Sequence, residues 1–227
     1  VSQIVVAGTS LLLSLIALRQ LGTAGLGTFS LLFGILLTAS AVQTGWIGDS
    51  LTVLDRFDPG IRRSLFQSQY VAIVVVFSVT AWLASLLGGV EASTAVLFGV
   101  ASAAWGVEET MRRLLLARRQ FWTLVVNDLS FSIGAIGLLV VVVATGGAIT
   151  IATLVAALVA GSTIAIGAAV LQLPRIELVR GPIAASRMRD LSSFAFWRAI
   201  QVGLRPGSLA AVRVIVATTA SLGAVGQ

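Results

Sequence analysis

The side chains with chemistry to offer in this 227-residue chain are its arginines and a few carboxylates. All 15 basic residues are Arg, set against nine Asp and Glu, and there is no His and no Cys. A guanidinium pairs bidentately with phosphate or carboxylate, so anion contact is the chemistry these residues favour. The missing His and Cys remove histidine bases, cysteine nucleophiles, disulfides and most transition-metal sites. There is no GxxxxGK[ST] phosphate loop and no zinc-ligand spacing, and the carboxylates are scattered rather than paired. An enzyme is therefore not expected, nor a cofactor or bound metal.

Spacing singles out four arginines. Arg19 closes the first apolar run. Arg198, Arg205 and Arg213 are separated by 7 and 8 residues, which at about 100° per residue puts them on one stripe about 80° wide. Pro206, beside Arg205, predicts a kink. Charges at membrane depth are costly and usually face a bundle interior or a watery cavity. The alternative for the series is a basic helix on the membrane surface. For Arg19 it is a side chain snorkelling to the interface. Asn127 and Asp128 lie early in a later apolar run. They read either as a capping or ion-paired couple with Arg118 or Arg119, or as polar residues on an ion or ligand path. Gln43 and Asp49 flank one end of the second run, with Asp49 expected at the interface. Glu108/Arg112 and Glu109/Arg113 have the favourable i,i+4 order and read as pairs that stabilise a helix end.

Lipid is the solvent these residues must be positioned in. The chain is 57% hydrophobic and 11% charged, with a mean hydropathy of +1.02, whereas soluble domains carry about 25% charged residues. A pI near 11.6 would suggest nucleic acid in a soluble protein. Here the arginines flank apolar spans, so no nucleic-acid partner is expected and anionic lipid headgroups are. A span of about 30 Å needs about 20 mostly apolar residues. Seven such runs are present: about 1–18, 27–48, 70–90, from Ser93 towards Glu108, 121–145, 148–173 and 194–221.

The gaps sort the arginines. The second, fourth and sixth gaps hold Arg56, Arg62 and Arg63; Arg112, Arg113, Arg118 and Arg119; and Arg175, Arg180, Arg187 and Arg189. The first, third and fifth hold Arg19 alone. The excess of basic residues in cytoplasmic loops then predicts an all-α, polytopic bundle of about seven helices with a cytoplasmic N-terminus. Residues 1–173 form a six-helix lobe, 174–193 a basic linker, and 194–227 the first helix of a second, truncated lobe. Residues 49–69 alternate charged and apolar side chains, which predicts an amphipathic helix on the inner leaflet. The short turns at 88–93 and 145–148 predict two tight helical hairpins.

Leu21-Gly22-Thr23-Ala24-Gly25 and Leu222-Gly223-Ala224-Val225-Gly226 both read L-G-x-x-G after an apolar helix. Such a repeat fits two lobes in parallel orientation. The run from Ala17 to Ser30, roughly A-x-R-x-L-G-x-x-x-x-G-x-F-S, resembles the polysaccharide biosynthesis flippases of the multidrug/oligosaccharidyl-lipid/polysaccharide exporter superfamily. Arg113 to Phe121 looks like their connection between helices 4 and 5, and Leu222 to Gly226 is similar to the close of their helix 7.

The resemblance implies alternating access in a bacterial inner membrane. It implies a lipid-linked oligosaccharide of the undecaprenyl diphosphate type as substrate, for envelope polysaccharide such as the O-antigen of lipopolysaccharide. A polysaccharide polymerase complex is a further implied partner. Arg19 matches the helix-1 arginine that faces the family's cationic cavity. Arg198, Arg205, Arg213, Asn127, Asp128 and Gln43 join it as candidate substrate contacts on the physical argument alone. Two rivals stay open: a cation-coupled drug exporter using Asp128, and a membrane scaffold subunit.

Overall fold

A computed structural model describes residues 2–55, 57–174 and 187–219, with side chains from 4 to 216 within those segments. Arg56, Arg175, Arg180 and the second L-G-x-x-G stretch lie outside the described residues. Among the described residues every regular element is helical: α1 (Ser2–Gln43), a π-helical turn (Thr44–Gly48), α2 (Asp49–Val53), α3 (Pro59–Leu87), α4 (Ala92–Ala117), α5 (Phe121–Ala144), α6 (Ile151–Gln172) and α7 (Met188–Thr219). Five helical stretches are long and apolar enough to cross a membrane. The exception is α4, long enough at 26 residues but interrupted by Glu108, Glu109, Arg112 and Arg113.

The first two apolar runs are the two arms of α1. They meet at Gly22 (φ 70°, ψ −170°), a backbone state that L side chains avoid and glycine tolerates. A Cβ there would meet nothing within 4 Å, so the requirement is conformational rather than steric. Helix therefore resumes one residue after the break, where the sequence predicts a gap of about eight.

The amphipathic helix expected over 49–69 does not form. α2 ends at Val53, Leu54 is extended, and α3 starts at Pro59 and runs through to Leu87. The cause is local. Asp58 accepts from the N–H groups of Gly60 and Ile61, both at 2.9 Å, and Pro59 is suited to the first helical position. That cap launches the helix directly into its apolar run.

Both expected hairpins are present, α3 against α4 and α5 against α6. Their turns place Gly89 and Gly146 at positive φ. Thr150 and Thr153 cap α6 reciprocally. α5 and α6 approach closely at Gly134, where a Cβ would lie 2.9 Å from the Ala160 carbonyl oxygen, and at Gly161, where it would lie 2.8 Å from that of Phe131. Small residues bring helices together where no hydrophobic drive does.

The main core is built on Leu13, Leu32, Leu36, Phe98, Leu154 and Leu158. Through it runs an aromatic row, Phe29–Phe33–Trp105–Phe131, with centroids 5.8, 6.1 and 5.1 Å apart. A second cluster, including Ile47, Ile61, Leu65, Leu115 and Leu191, ties the arginine-rich end together. Val74, Trp82 and Leu86 of α3 are exposed, as a lipid-facing surface requires.

α7 begins at Met188, before the residue 194 expected from the sequence, and runs through Pro206. It lies antiparallel along the second arm of α1. Gly45 meets the Ala199 backbone, Gly203 meets Val42, Gly207 meets Thr38, and Gly34 meets Ala210. A Cβ on Gly45 would lie 2.6 Å from Ala199 Cα, so this seam depends on small residues from both helices.

Candidate functional site

The three arginine-bearing gaps converge at one end of the bundle. The side chain of Arg113 covers Gly48, Arg187 reaches Asp58 at 3.3 Å, and Arg198 Nε donates to Asp49 Oδ2 at 2.9 Å. Asp49, expected at the interface, is thus the acidic clasp between α7 and the π turn. Asp58 is held below the usual carboxylate range, first by the N–H of Ile61 and then by Gly60 and Arg187, against some desolvation. Arg187 is raised, chiefly by its hydrogen bond to Asp190.

The arginine series of α7 keeps to one side of the seam. Arg198 is held by Asp49, Arg205 is exposed, and Arg213 donates to the Ser30 carbonyl oxygen at 3.3 Å. Arg213 reaches that oxygen across Gly34, where a Cβ would stand 2.9 Å from its Nη1. On the opposite flank, Ala211 and Val214 help to line a groove of about 580 Å³ between the second arm, α3 and α7. Its other walls include Ile35, Val42, Val75 and Val79, so it is apolar. Arg19 stands apart. It is exposed, and being two residues from the buried Ala17 it points about 200° away from the core. It makes no hydrogen bond or ion pair with a described residue. Arg198, Arg205 and Arg213 are therefore brought into line, and Arg19 is not joined to them.

The densest polar cluster lies between α4 and α5. Arg112 Nε donates to Asp128 Oδ1 at 2.7 Å, and Arg112 Nη1 also bonds Glu109. Glu109 accepts from Arg113 Nε at 2.9 Å. Asn127 Nδ2 faces Glu108 Oε1 at 3.4 Å. Asn127 and Asp128 are fully buried and Glu108 is 5% exposed. One turn further along α5, Ser132 Oγ donates to the Asp128 carbonyl oxygen and lies 2.6 Å from Thr9 Oγ1.

The expected Glu109–Arg113 pair forms, and the Glu108–Arg112 pair does not. Arg112 crosses to α5 because a fully buried aspartate there competes for it. Asp128 takes Arg112, a partner the sequence did not suggest. Gln43 is buried and donates to the Gly106 carbonyl oxygen at 3.0 Å. This is possible because Gly106 has no side chain: a Cβ would fall 2.1 Å from Gln43 Oε1. Thr110 bonds Gln69 at 2.9 Å beside it. Gln43 thus braces α1 against α4 and sits near, rather than among, the arginines.

Sequence reasoning did not single out Ser132, Thr9 or Gln69, nor Glu108 as a neighbour of Asn127. The available signal was a charged interruption in the fourth apolar run. Among the described residues no group of three or more His, Cys, Asp or Glu forms a metal site. Comparisons with protein-family models, with curated proteins and with solved structures each found no match. The functional reading therefore rests on the chain's own arginines and on the shape of α7.

Proposed function

We propose that the chain is the first lobe and seventh helix of a bacterial inner-membrane flippase, multi-pass with a cytoplasmic N-terminus. It moves a polyprenyl-diphosphate-linked oligosaccharide between leaflets by alternating access. The observation that carries the reading is the α7 seam. Arg198, Arg205 and Arg213 line one flank and an apolar groove lies along the other. Guanidinium groups suit a diphosphate, and an apolar groove suits a polyprenyl tail. Arg19 sits on the face of α1 turned away from the core, where a second lobe would close over it. The cytoplasmic arginine cluster holds anionic lipid, and a polysaccharide polymerase complex receives the product.

The test is translocation of a fluorescent polyprenyl-diphosphate oligosaccharide in proteoliposomes by protein carrying this chain. Each charged hydrogen bond to phosphate is worth about 1.5–3 kcal/mol, so Arg19→Ala and Arg205→Ala should each slow flipping by roughly tenfold or more. Arg63→Ala, exposed at the arginine-rich end, should leave the rate unchanged. Equal rates for all three variants would overturn the assigned roles.

A further inference from the structure

One carboxylate of the α4–α5 cluster, Glu108, stands outside the ion pairs that join its neighbours. Asp128 and Glu109 share Arg112, and Glu109 also takes Arg113. Glu108 is left at 5% exposure with no ion pair among the described residues; its hydrogen-bond partner is Asn127. An ionised carboxylate so buried, with no ion-pair partner, is strongly disfavoured against its neutral form. Asn127 supplies a second, independent observation. Its side chain is fully buried and its Oδ1 has no hydrogen-bond partner. A carboxylate cannot satisfy that oxygen, because it has no hydrogen to give. A carboxylic acid can. Half a turn of the amide brings Oδ1 to the position of Nδ2, 3.4 Å from Glu108 Oε1, and the two amide orientations fill the same space. The O–H of a neutral Glu108 then donates to Asn127 Oδ1, so that a buried charge and an unpartnered oxygen give way to a neutral pair, with Nδ2 turned to the place Oδ1 leaves.

We propose that Glu108 and Asn127 form a buried proton-binding site between α4 and α5, in which Glu108 carries the proton and Asn127 accepts its hydrogen bond. The charged groups around it are Arg112, Glu109 and Arg113 on α4 and Asp128 on α5. α6, packed against both helices, carries no charged residue. Asp49 is committed to Arg198, Arg19 is at the opposite end of the bundle, and Arg62 of α3 lines a cleft on the Val107–Leu114 face of α4. One carboxyl and one amide oxygen are too few for sodium, which leaves the proton as the cation. Raising the pH transfers that proton to hydroxide and leaves a charge between the helices, so the α4–α5 contact loosens in alkali. The site stands independently of the flippase reading, because it can be read without transport.

Infrared difference spectroscopy of the full chain in lipid, titrated from neutral to alkaline pH, reads the carbonyl stretch of a neutral carboxylic acid. The expected result is such a band at neutral pH, lost in alkali and absent from Glu108→Gln. In Asn127→Leu the band should move to higher frequency, because its hydrogen bond is gone. This second variant keeps the assignment testable should Glu108→Gln fold poorly. Addition of sodium at constant pH should change nothing. A spectrum identical in wild type and Glu108→Gln, a band unmoved by Asn127→Leu, or one that titrates with sodium would each overturn the site.

Discussion

Removing Arg112 should cost far more than removing an ordinary hydrogen bond between membrane helices. Its Nε lies 2.7 Å from a fully buried Asp128, and its own side chain is 20% exposed. Charge centres about 4 Å apart attract by about 4 kcal/mol at an effective dielectric near 20. Truncating one partner of a buried pair typically costs about 3–5 kcal/mol, because the other charge is left stranded. Arg112→Met should therefore destabilise by up to about that amount, since Asp128 keeps a further interaction of its own. Asp128→Asn should cost less, since Arg112 keeps Glu109. The double variant should fall short of the sum by about 2 kcal/mol or more, the signature of direct coupling. Unfolding in mixed micelles, followed by circular dichroism, measures all four corners of the cycle. The competing expectation is clear: neutral side-chain hydrogen bonds between membrane helices average about 0.6 kcal/mol. A coupling that small would refute the claim that an ion pair fastens α4 to α5.

Two further expectations concern the seam and the cap. A Cβ on Gly207 would lie 3.7 Å from Thr38 Cγ2, so cysteines at 38 and 207 would face each other across the seam. The chain has no other cysteine, so oxidation should cross-link this pair and not Thr38→Cys with Leu209→Cys, an exposed position about 160° round α7 from 207. Equal cross-linking would mean that α7 does not lie along the second arm. Asp58 is depressed by the Ile61 and Gly60 N–H groups and by Arg187. The stability its charge contributes is therefore complete above the ordinary carboxylate value, about 3.9, and drains as pH falls through the lower folded value. Asp58→Asn keeps a capping side chain and loses the charge. Its deficit in thermal midpoint should be constant near neutrality and shrink in acid. A deficit that grew in acid would reverse the sign and sink the account.

The helices were legible because lipid imposes a length and a polarity on whatever crosses it. The 70–90, 121–145 and 148–173 runs lie within α3, α5 and α6, or within a residue or three of their ends. Segment boundaries set by single residues were harder to read. Gly22 shortens a gap to one position through its backbone angles, and Asp58 with Pro59 turns an expected surface helix into the start of α3. The polar cluster was least legible. Spacing along α4 predicts that Arg112 serves Glu108, and only the placement of α5 gives it to Asp128 instead. Spacing within one helix says which side chains share a face; it does not say what another helix presents there.

The open question about α7 in the sequence was whether its arginines mark a helix lying on the membrane surface or one running through it. The seam bears directly on that choice. Contacts run from Gly45 against Ala199 to Ser30 against Arg213, about 22 Å of shared axis at 1.5 Å per residue. The hydrocarbon core is about 30 Å thick. The second arm belongs to a helical stretch long and apolar enough to cross a membrane. α7 could lie flat only if that arm lay flat beside it. Arg213 then sits as deep as Ser30, beyond the reach of simple snorkelling from the arginine-rich end. Gly34, on the other helix, clears the space it occupies. Leu32 packs on Gly88 in the turn at the opposite end of the bundle, so Arg213 stands near the far interface, where a helix running through the membrane would bring it.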